Sequence, residues 1–337
     1  MSRESSSWLN QMVLVGFKLK RGFAWHYRLE DQGDEPNHYD GPVPVEDVIR
    51  RLFNFTVDER EVYVLTDSGY VAIPNRKAMV TSDSETVLGI FKGGYQGHDY
   101  KEWLIDTVGH ILDDELSIGS AMLLRNRAQA CVSVEMPENI TTPEGVVFRP
   151  WIGAWTSYDG SLATTFKAHV QDIVCDNTRD IAASEDGGQF KVRHSKYSNM
   201  KLKDARDALG ILHTMGADFA HEVAELTSQK VSDTQFRKLL DILVPIPEDE
   251  GRGKTLNERK QAELINLWGF DQRVAPWKGT AYGAVQAFNT WNHHFATVRN
   301  GSNGDTTRFL RNMENVITGK MGAKDTEVLT ALASVTA

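Results

Sequence analysis

Three consecutive segments in the middle of the chain alternate apolar and polar residues with a period of two. In "RAQACVSVEM" (127–136), Ala128, Ala130, Val132, Val134 and Met136 alternate with Arg127, Gln129, Cys131, Ser133 and Glu135. In "VFRPWIGAWTS" (147–157), Phe148, Ile152 and Ala154 share one face, and Arg149, Trp151 and Trp155 the other. In "ATTFKAHVQDIVC" (163–175), Phe166, Ala168, Val170 and Val174 oppose Lys167, His169 and Gln171. Successive strand side chains point to opposite faces, so each segment reads as a strand with one packed face. The joints "NITTPEG" and "YDGS" are turn-rich, and Asp159–Gly160 is a strong hairpin signal. The chain is therefore expected to build an antiparallel three-strand meander.

Helical spacing surrounds this meander. "VPVEDVIRRLFNF" (43–55) places Val45, Val48, Ile49, Leu52 and Phe53 on one stripe, and "DYKEWLIDTVGHILDD" (99–114) does the same with Trp103, Leu104, Thr107, Val108, Ile111 and Leu112. Between them, "REVYVLTD" and "GYVAIPNRKAMVTSD" read as short strands around an Asp67–Gly69 turn. After the meander, 186–195 is expected as a loop or edge strand and 199–226 as a long helix burying Leu202, Ala205, Leu209, Leu212, Gly216 and Phe219. The last third is helical, with a capping box expected at Thr255 and Glu258. Residues 280–299 are expected to bury Tyr282, Val285, Phe288, Trp291, Phe295 and Val298. The fold class is α+β: the meander packed on helices, a mixed N-terminal region and a helical C-terminal third. The expected units are 1–92, 93–244 and 255–337, with the acidic, proline-flanked segment 245–255 as linker.

Several chemistries are excluded by their missing residues. The two cysteines, Cys131 and Cys175, stand outside any CxxC, which leaves no disulfide framework and no cysteine-rich zinc site. No HExxH, no H-x-E with PCxxC and no GxSxG is present. "GRGKT" (251–255) lacks the first glycine of a phosphate loop, having Glu248 in its place. His293 and His294 are adjacent on a helix and so diverge. "VCDNT" (174–178) reads as the end of the third strand, with Asn177 and Asp180 in the spacing of a helix N-cap and its N3 partner, rather than as a nucleophile with helpers. No cofactor, metal or catalytic residue is nominated. No apolar run approaches the ~18 residues of a membrane span, and the N-terminus lacks a signal-peptide layout, so a cytoplasmic location is expected.

The formal charge is −9, which argues against coating nucleic acid with the whole surface. The basic residues are nevertheless concentrated. "KVRHSKYSNMKLKDAR" (191–206) carries Lys191, Arg193, Lys196, Lys201, Lys203 and Arg206 against one acid, Asp204. This strip adjoins in sequence the strand face bearing Arg149, Trp151, Trp155 and Lys167. Cations neutralise phosphates and aromatic faces stack on unpaired bases, so these ten residues form the expected site for single-stranded nucleic acid. If Trp151 and Trp155 are instead covered by the terminal helices, the stacking half of that site is lost.

"AWHYR" (24–28), "GPVPVEDVIRRLF" (41–53), "VLGIFKGGYQGHDYKEWL" (87–104), "YDGSLATTFKAHVQDIVCDNT" (158–178) and "FKVRHSKYSNMKLKDARDALGI" (190–211) together resemble the phage/plasmid-like protein family, an uncharacterised group of mobile genetic elements. The resemblance runs from about 24 to 320 and implies a bacterial host cytoplasm rather than a mechanism. The order helix, meander, long basic-edged helix is similar to that of single-strand annealing proteins of the RecT, Redβ and Erf types. The expectation is thus a cofactor-free, homo-oligomeric DNA-binding protein serving annealing or recombination, without membrane contact. The alternative is a non-enzymatic protein that acts on a host component without binding nucleic acid. A third reading, hydrolysis through Asp113, Asp114 and Glu115, rests only on adjacent acids at a helix end.

Overall fold

The structure, a computed structural model, describes residues 12–20, 35–109, 111–112, 116–172, 177–179, 190–192, 208–297 and 308–336. In chain order, β1 (Val13–Val15) precedes α1 (Val45–Asp47), which continues as a π-helical turn over Val48–Leu52. Next come β2 (Val57–Thr66), β3 (Gly69–Thr81) and β4 (Val87–Lys92), then a π-helical turn Lys101–Asp106 leading into α2 (Thr107–Gly109). The strands β5 (Ser117–Leu124), β6 (Gln129–Glu135), β7 (Ile140–Thr141), β8 (Val147–Ser157), β9 (Thr164–Asp172), β10 (Asn177–Arg179) and β11 (Phe190–Val192) follow. The helices α3 (Ala208–Ser228), α4 (Asp233–Leu243) and α5 (Arg252–Phe270) come next. Then α6 (Ala281–Thr290) runs on as a π-helical turn Trp291–Phe295, and α7 (Arg308–Ile317) and α8 (Lys320–Thr336) close the chain. The protein is α+β.

The expected meander is present as β6-β8-β9, antiparallel throughout, with Cys131 opposite Trp155 and Trp151 opposite His169. It is the centre of a larger sheet in the order β1-β5-β6-β8-β9-β10, with β7 pairing β8 and β11 pairing β9. The strand β5 gave no alternating signal in sequence because nearly all of "SIGSAMLL" is buried on both faces. The strand β10 corrects one expectation. Asn177 pairs with Asp172 in an antiparallel ladder, so the chain does reverse near "VCDNT", but into a strand and not into a helix N-terminus. Ladder hydrogen bonds to β9 override the local capping preference of asparagine. The edge strand expected near 190 is β11, with Lys191 opposite Thr165.

Both sheet faces are covered. On one, Ala130, Val132, Val134, Ile152, Ala154 and Phe166 join Val48, Leu52, Phe53, Leu104, Val108 and Leu212 in a single core. Towards the β8–β9 end, Phe148 and Val170 meet Met215, Phe219 and Val223 of α3, with Phe148 and Phe219 rings 4.7 Å apart. On the other face, Met122, Leu124, Cys131, Trp151 and Trp155 pack with Val316 of α7 and Met321 of α8. A separate apolar core holds the C-terminal helices, with Phe236, Leu240, Leu264, Trp268, Val285, Phe288, Val328 and Leu332 at its centre.

Two further expectations change. The helix α5 starts at Arg252, ahead of the proposed Thr255 cap, and Gly251 at its N-cap position supplies no side-chain bond. A capping box occurs instead at α4, where Ser232 accepts from the Gln235 backbone and Gln235 accepts from that of Ser232. Phe295, expected in the core, is 40% exposed, whereas Tyr282, Val285 and Phe288 are buried as anticipated; Val298 lies outside the described residues. Among the described residues no helix is long and apolar enough to cross a membrane.

Candidate functional site

Of the ten residues expected to form one nucleic-acid groove, four have side chains among the described residues: Arg149, Trp151, Trp155 and Lys167. Arg149, Trp151 and Trp155 do share a sheet face, but they are 0%, 5% and 1% exposed. This overturns the exposed stacking platform. Alternation separates two faces of a strand; it does not say whether the second face meets water or another layer, and here α7 and α8 cover it. Gly153 lies between the tryptophans, and a side chain there would sit 1.7 Å from the Trp155 ring. Lys167 is partly buried on the same face of β9. Lys191 is placed by its backbone on β11, while Arg193, Lys196, Lys201, Lys203 and Arg206 lie outside the described residues, as do Asp113, Asp114, Glu115 and Cys175.

Arg149 has a structural role. Its Nη1 donates to Glu135 Oε2 at 3.0 Å, and its Nε and Nη2 donate to Asn139 Oδ1 at 2.9 and 2.6 Å. Glu135 Oε1 also accepts from Ser133 Oγ at 2.8 Å, and Ser133 is bonded in turn to Ser120 at 2.8 Å. Hydrogen bonds on all sides are what a buried ion pair requires, and they leave no guanidinium face for a phosphate. Beyond this network the rings of Trp151, Trp155 and His169 form a cluster, with His169 centroids 4.7 and 5.3 Å from the two indoles.

A different set of cations converges in the C-terminal helices, around the π-helical turn Trp291–Phe295. Lys324 on α8 donates to Asn292 Oδ1 at 3.2 Å, and Arg311 on α7 donates from Nη2 to the Asn292 carbonyl at 2.8 Å. Arg308 and Arg311 both reach the Ala296 carbonyl, at 2.8 and 3.3 Å. Lys260 on α5 lies over the Trp291 ring, 4.2 Å from its centroid, in a cation–π contact. Lys260, Arg311 and Lys324 are partly buried and form no ion pair among the described residues.

The charged forms of these groups are held at a cost. Burial, and then the charge of Arg308, bring Arg311 down to about 10. Burial and then Arg311 lower Lys324, with Asp325 and Glu327 pulling the other way more weakly. Burial and then Lys324 lower Lys260, again against Glu327. Each cation thus suffers from the next, and a bound anion would relieve the repulsion. Phe295 adds an exposed ring on the same turn, with the Arg273 guanidinium 5.7 Å above it; Arg273 itself is paired with Asp271 at 2.6 Å. Carbonyl and amide oxygens orient Arg311 and Lys324, and neither forms an ion pair among the described residues. The arrangement can hold phosphate oxygens and offer one aromatic face beside them.

No sequence spacing announces this site. Arg308 and Arg311 stand one helical turn apart, but Lys260 and Lys324 come from distant helices, and only tertiary packing brings the four together. Of the two histidines at the turn, His293 is buried and its carbonyl accepts from Asn312 at 3.0 Å. Among the described residues no group of three or more His, Cys, Asp or Glu is placed to hold a metal ion.

Residues 87–313 match the family described as Domain of unknown function (DUF932). The match spans more than half of the chain, and the chain belongs to that family. It starts at the first residue of β4 and stops within α7, so it takes in the meander, Lys260, Arg308 and Arg311, and leaves out β2, β3 and Lys324. No curated protein and no solved structure shows a match.

Proposed function

We propose that this DUF932-family chain is a non-catalytic nucleic-acid-binding protein that holds backbone phosphates with Lys260, Arg308, Arg311 and Lys324. The observation that carries the reading is the convergence on one turn, which also exposes Phe295, of Lys260, Arg311 and Lys324, three partly buried cations that form no ion pair among the described residues. Phosphates would supply the missing counter-charge, and an exposed ring beside them favours unpaired bases over duplex. Single-stranded DNA or RNA is therefore the preferred ligand, and the site offers no base-edge readout. The helix–meander–helix order that resembles annealing proteins supports a role in annealing or recombination, and the resemblance to phage and plasmid proteins supports a mobile element in a bacterial cytoplasm as the setting. The basic strip from Lys191 to Arg206 would add further phosphate contacts along the same strand.

Fluorescence anisotropy with a labelled oligo(dT) tests this. The double variant Arg311→Ala, Lys324→Ala is expected to weaken binding by ~10-fold or more at moderate salt, because two phosphate contacts are removed. Phe295→Ala should weaken single-strand binding more than duplex binding. Wild-type protein that fails to shift the oligonucleotide at low salt, or a double variant that binds as well as wild type, would overturn the proposal.

A further inference from the structure

The cations of the C-terminal helices gather around one point instead of lining a track. Arg308 Nη1 and Arg311 Nη1 donate to the same Ala296 carbonyl, at 2.8 and 3.3 Å, so the two nitrogens lie no further apart than those bonds laid end to end. Arg311 Nη2 and Lys324 Nζ meet on a single residue, Asn292, at its carbonyl and its side-chain oxygen. Burial and then the charge of Lys324 lower Lys260, whose ammonium lies 4.2 Å from the Trp291 centroid. A polynucleotide backbone presents its phosphates one nucleotide apart, each a diester with a single charge. Such a backbone suits a row of cations better than a tight group.

Acidic side chains border the group. Glu327, exposed on α8, raises both Lys260 and Lys324 against the trend set by burial. Glu263 on α5 accepts from Trp291 Nε1 at 2.8 Å, on the ring that Lys260 covers. A strand passing through carries further phosphates on both sides of the bound one, and these carboxylates repel them. A strand that ends at the cluster has such a neighbour on one side only.

The donors favour a phosphate with several free oxygens. Arg311 commits Nε, Nη1 and Nη2 to oxygens of Asn312, Ala296 and Asn292, so it acts chiefly as a fixed charge. Lys324 makes one hydrogen bond among the described residues, and an ammonium has three N–H donors. Lys260 rests on the Trp291 ring and makes no hydrogen bond among the described residues. A phosphomonoester offers three acceptor oxygens and a charge of about −1.5 to −2 near pH 7.

We propose that this cluster receives the phosphomonoester end of a nucleotide chain. Lys260, Arg308 and Lys324 bind the terminal phosphate, Arg311 fixes the charge behind it, and the terminal base stacks on Phe295. The inference rests on the phosphate-holding role proposed above and names which phosphate is held. A free nucleotide carries the same group, so the test separates the two sources.

Fluorescence anisotropy of the full chain with an internally labelled oligo(dT) reads the outcome, the ends being hydroxyl, 5′-phosphate or 3′-phosphate. One phosphorylated strand is expected to bind ~10-fold tighter than the hydroxyl strand, about the worth of one charge-assisted hydrogen bond. Methyl esterification of that phosphate leaves a diester with one charge and should abolish most of the gain, as should Lys324→Gln. The end series is read on wild-type protein, so it does not depend on how the variant folds. Equal affinity for all ends overturns the inference and leaves the proposed phosphate contacts standing, whereas no binding of any strand overturns both. A gain that persists on the methyl ester, or in Lys324→Gln, also overturns it, because the extra charge is then not read at this cluster. Competition with thymidine 5′-monophosphate decides the source. Displacement only at concentrations far above the Kd of the phosphorylated strand supports a strand end, and displacement at concentrations near that Kd overturns it in favour of a free nucleotide.

Discussion

Gly153 shows how a single residue sets what a sheet face can carry. It sits between Trp151 and Trp155 on β8, and the Trp155 indole lies over the space a β-carbon would occupy, 1.7 Å from the ring. Gly153→Ala must push an almost fully buried indole out of place, and overpacking of this kind costs ~1–3 kcal/mol. Urea unfolding should show a lower midpoint with an unchanged slope, and an unaltered midpoint would mean that Trp155 repacks freely. Cys131, on the same face opposite Trp155, gives a second prediction. Burial, and then the charge of Glu135, push its thiol up to about 12. A raised value means that the thiolate is scarce at pH 8 in the folded state and returns on unfolding. In a Cys175→Ser background the native protein should leave Ellman's reagent unreacted at pH 8, with one thiol appearing in guanidinium chloride. Rapid native reaction would show that the α7–α8 cover opens readily.

At the scale of elements, helix starts give a paired test. Ser232 and Gln235 make a reciprocal capping box on α4, whereas Thr255, which has the same motif spacing to Glu258, lies inside α5 and bonds back to the Gly251 carbonyl at 3.4 Å. Ser232→Ala should destabilise by about 1 kcal/mol and Thr255→Ala should leave stability nearly unchanged, both measured by denaturant titration. Equal losses would mean that the sequence motif, not the observed helix start, governs capping. The contrast explains what was legible in the residues. Alternation along 127–136, 147–157 and 163–175 identified β6, β8 and β9 and which side chains share a face, because period two is a local property of each strand. The covering of both faces was not local. For the tryptophans it depends on Val316 and Met321, more than a hundred residues downstream, and for Arg149 on Glu135, Asn139 and Phe17, so their burial is not legible in their own strand. For the same reason β5, buried on both faces, carries no alternation, and the cation cluster has no motif: its members meet only after α5, α7 and α8 have packed.

For the molecule as a whole, the decisive quantity is how binding responds to salt. The chain carries a formal charge of −9, so its global field repels nucleic acid, and association must come from local charge released from counterions. On single strands each neutralised phosphate contributes about −0.7 to the slope of log Kobs against log salt. The cluster of Lys260, Arg308, Arg311 and Lys324 alone therefore predicts a slope of about −3. If Lys191, Arg193, Lys196, Lys201, Lys203 and Arg206 all engage the same strand, the slope steepens to about −7. A titration of oligo(dT) binding across salt separates these cases, and the Arg311→Ala, Lys324→Ala variant should make either slope shallower by about 1.4. A wild-type slope near zero would remove phosphate neutralisation as the basis of binding. A steep slope that the double variant leaves unchanged would move the site away from the C-terminal helices and onto the basic strip.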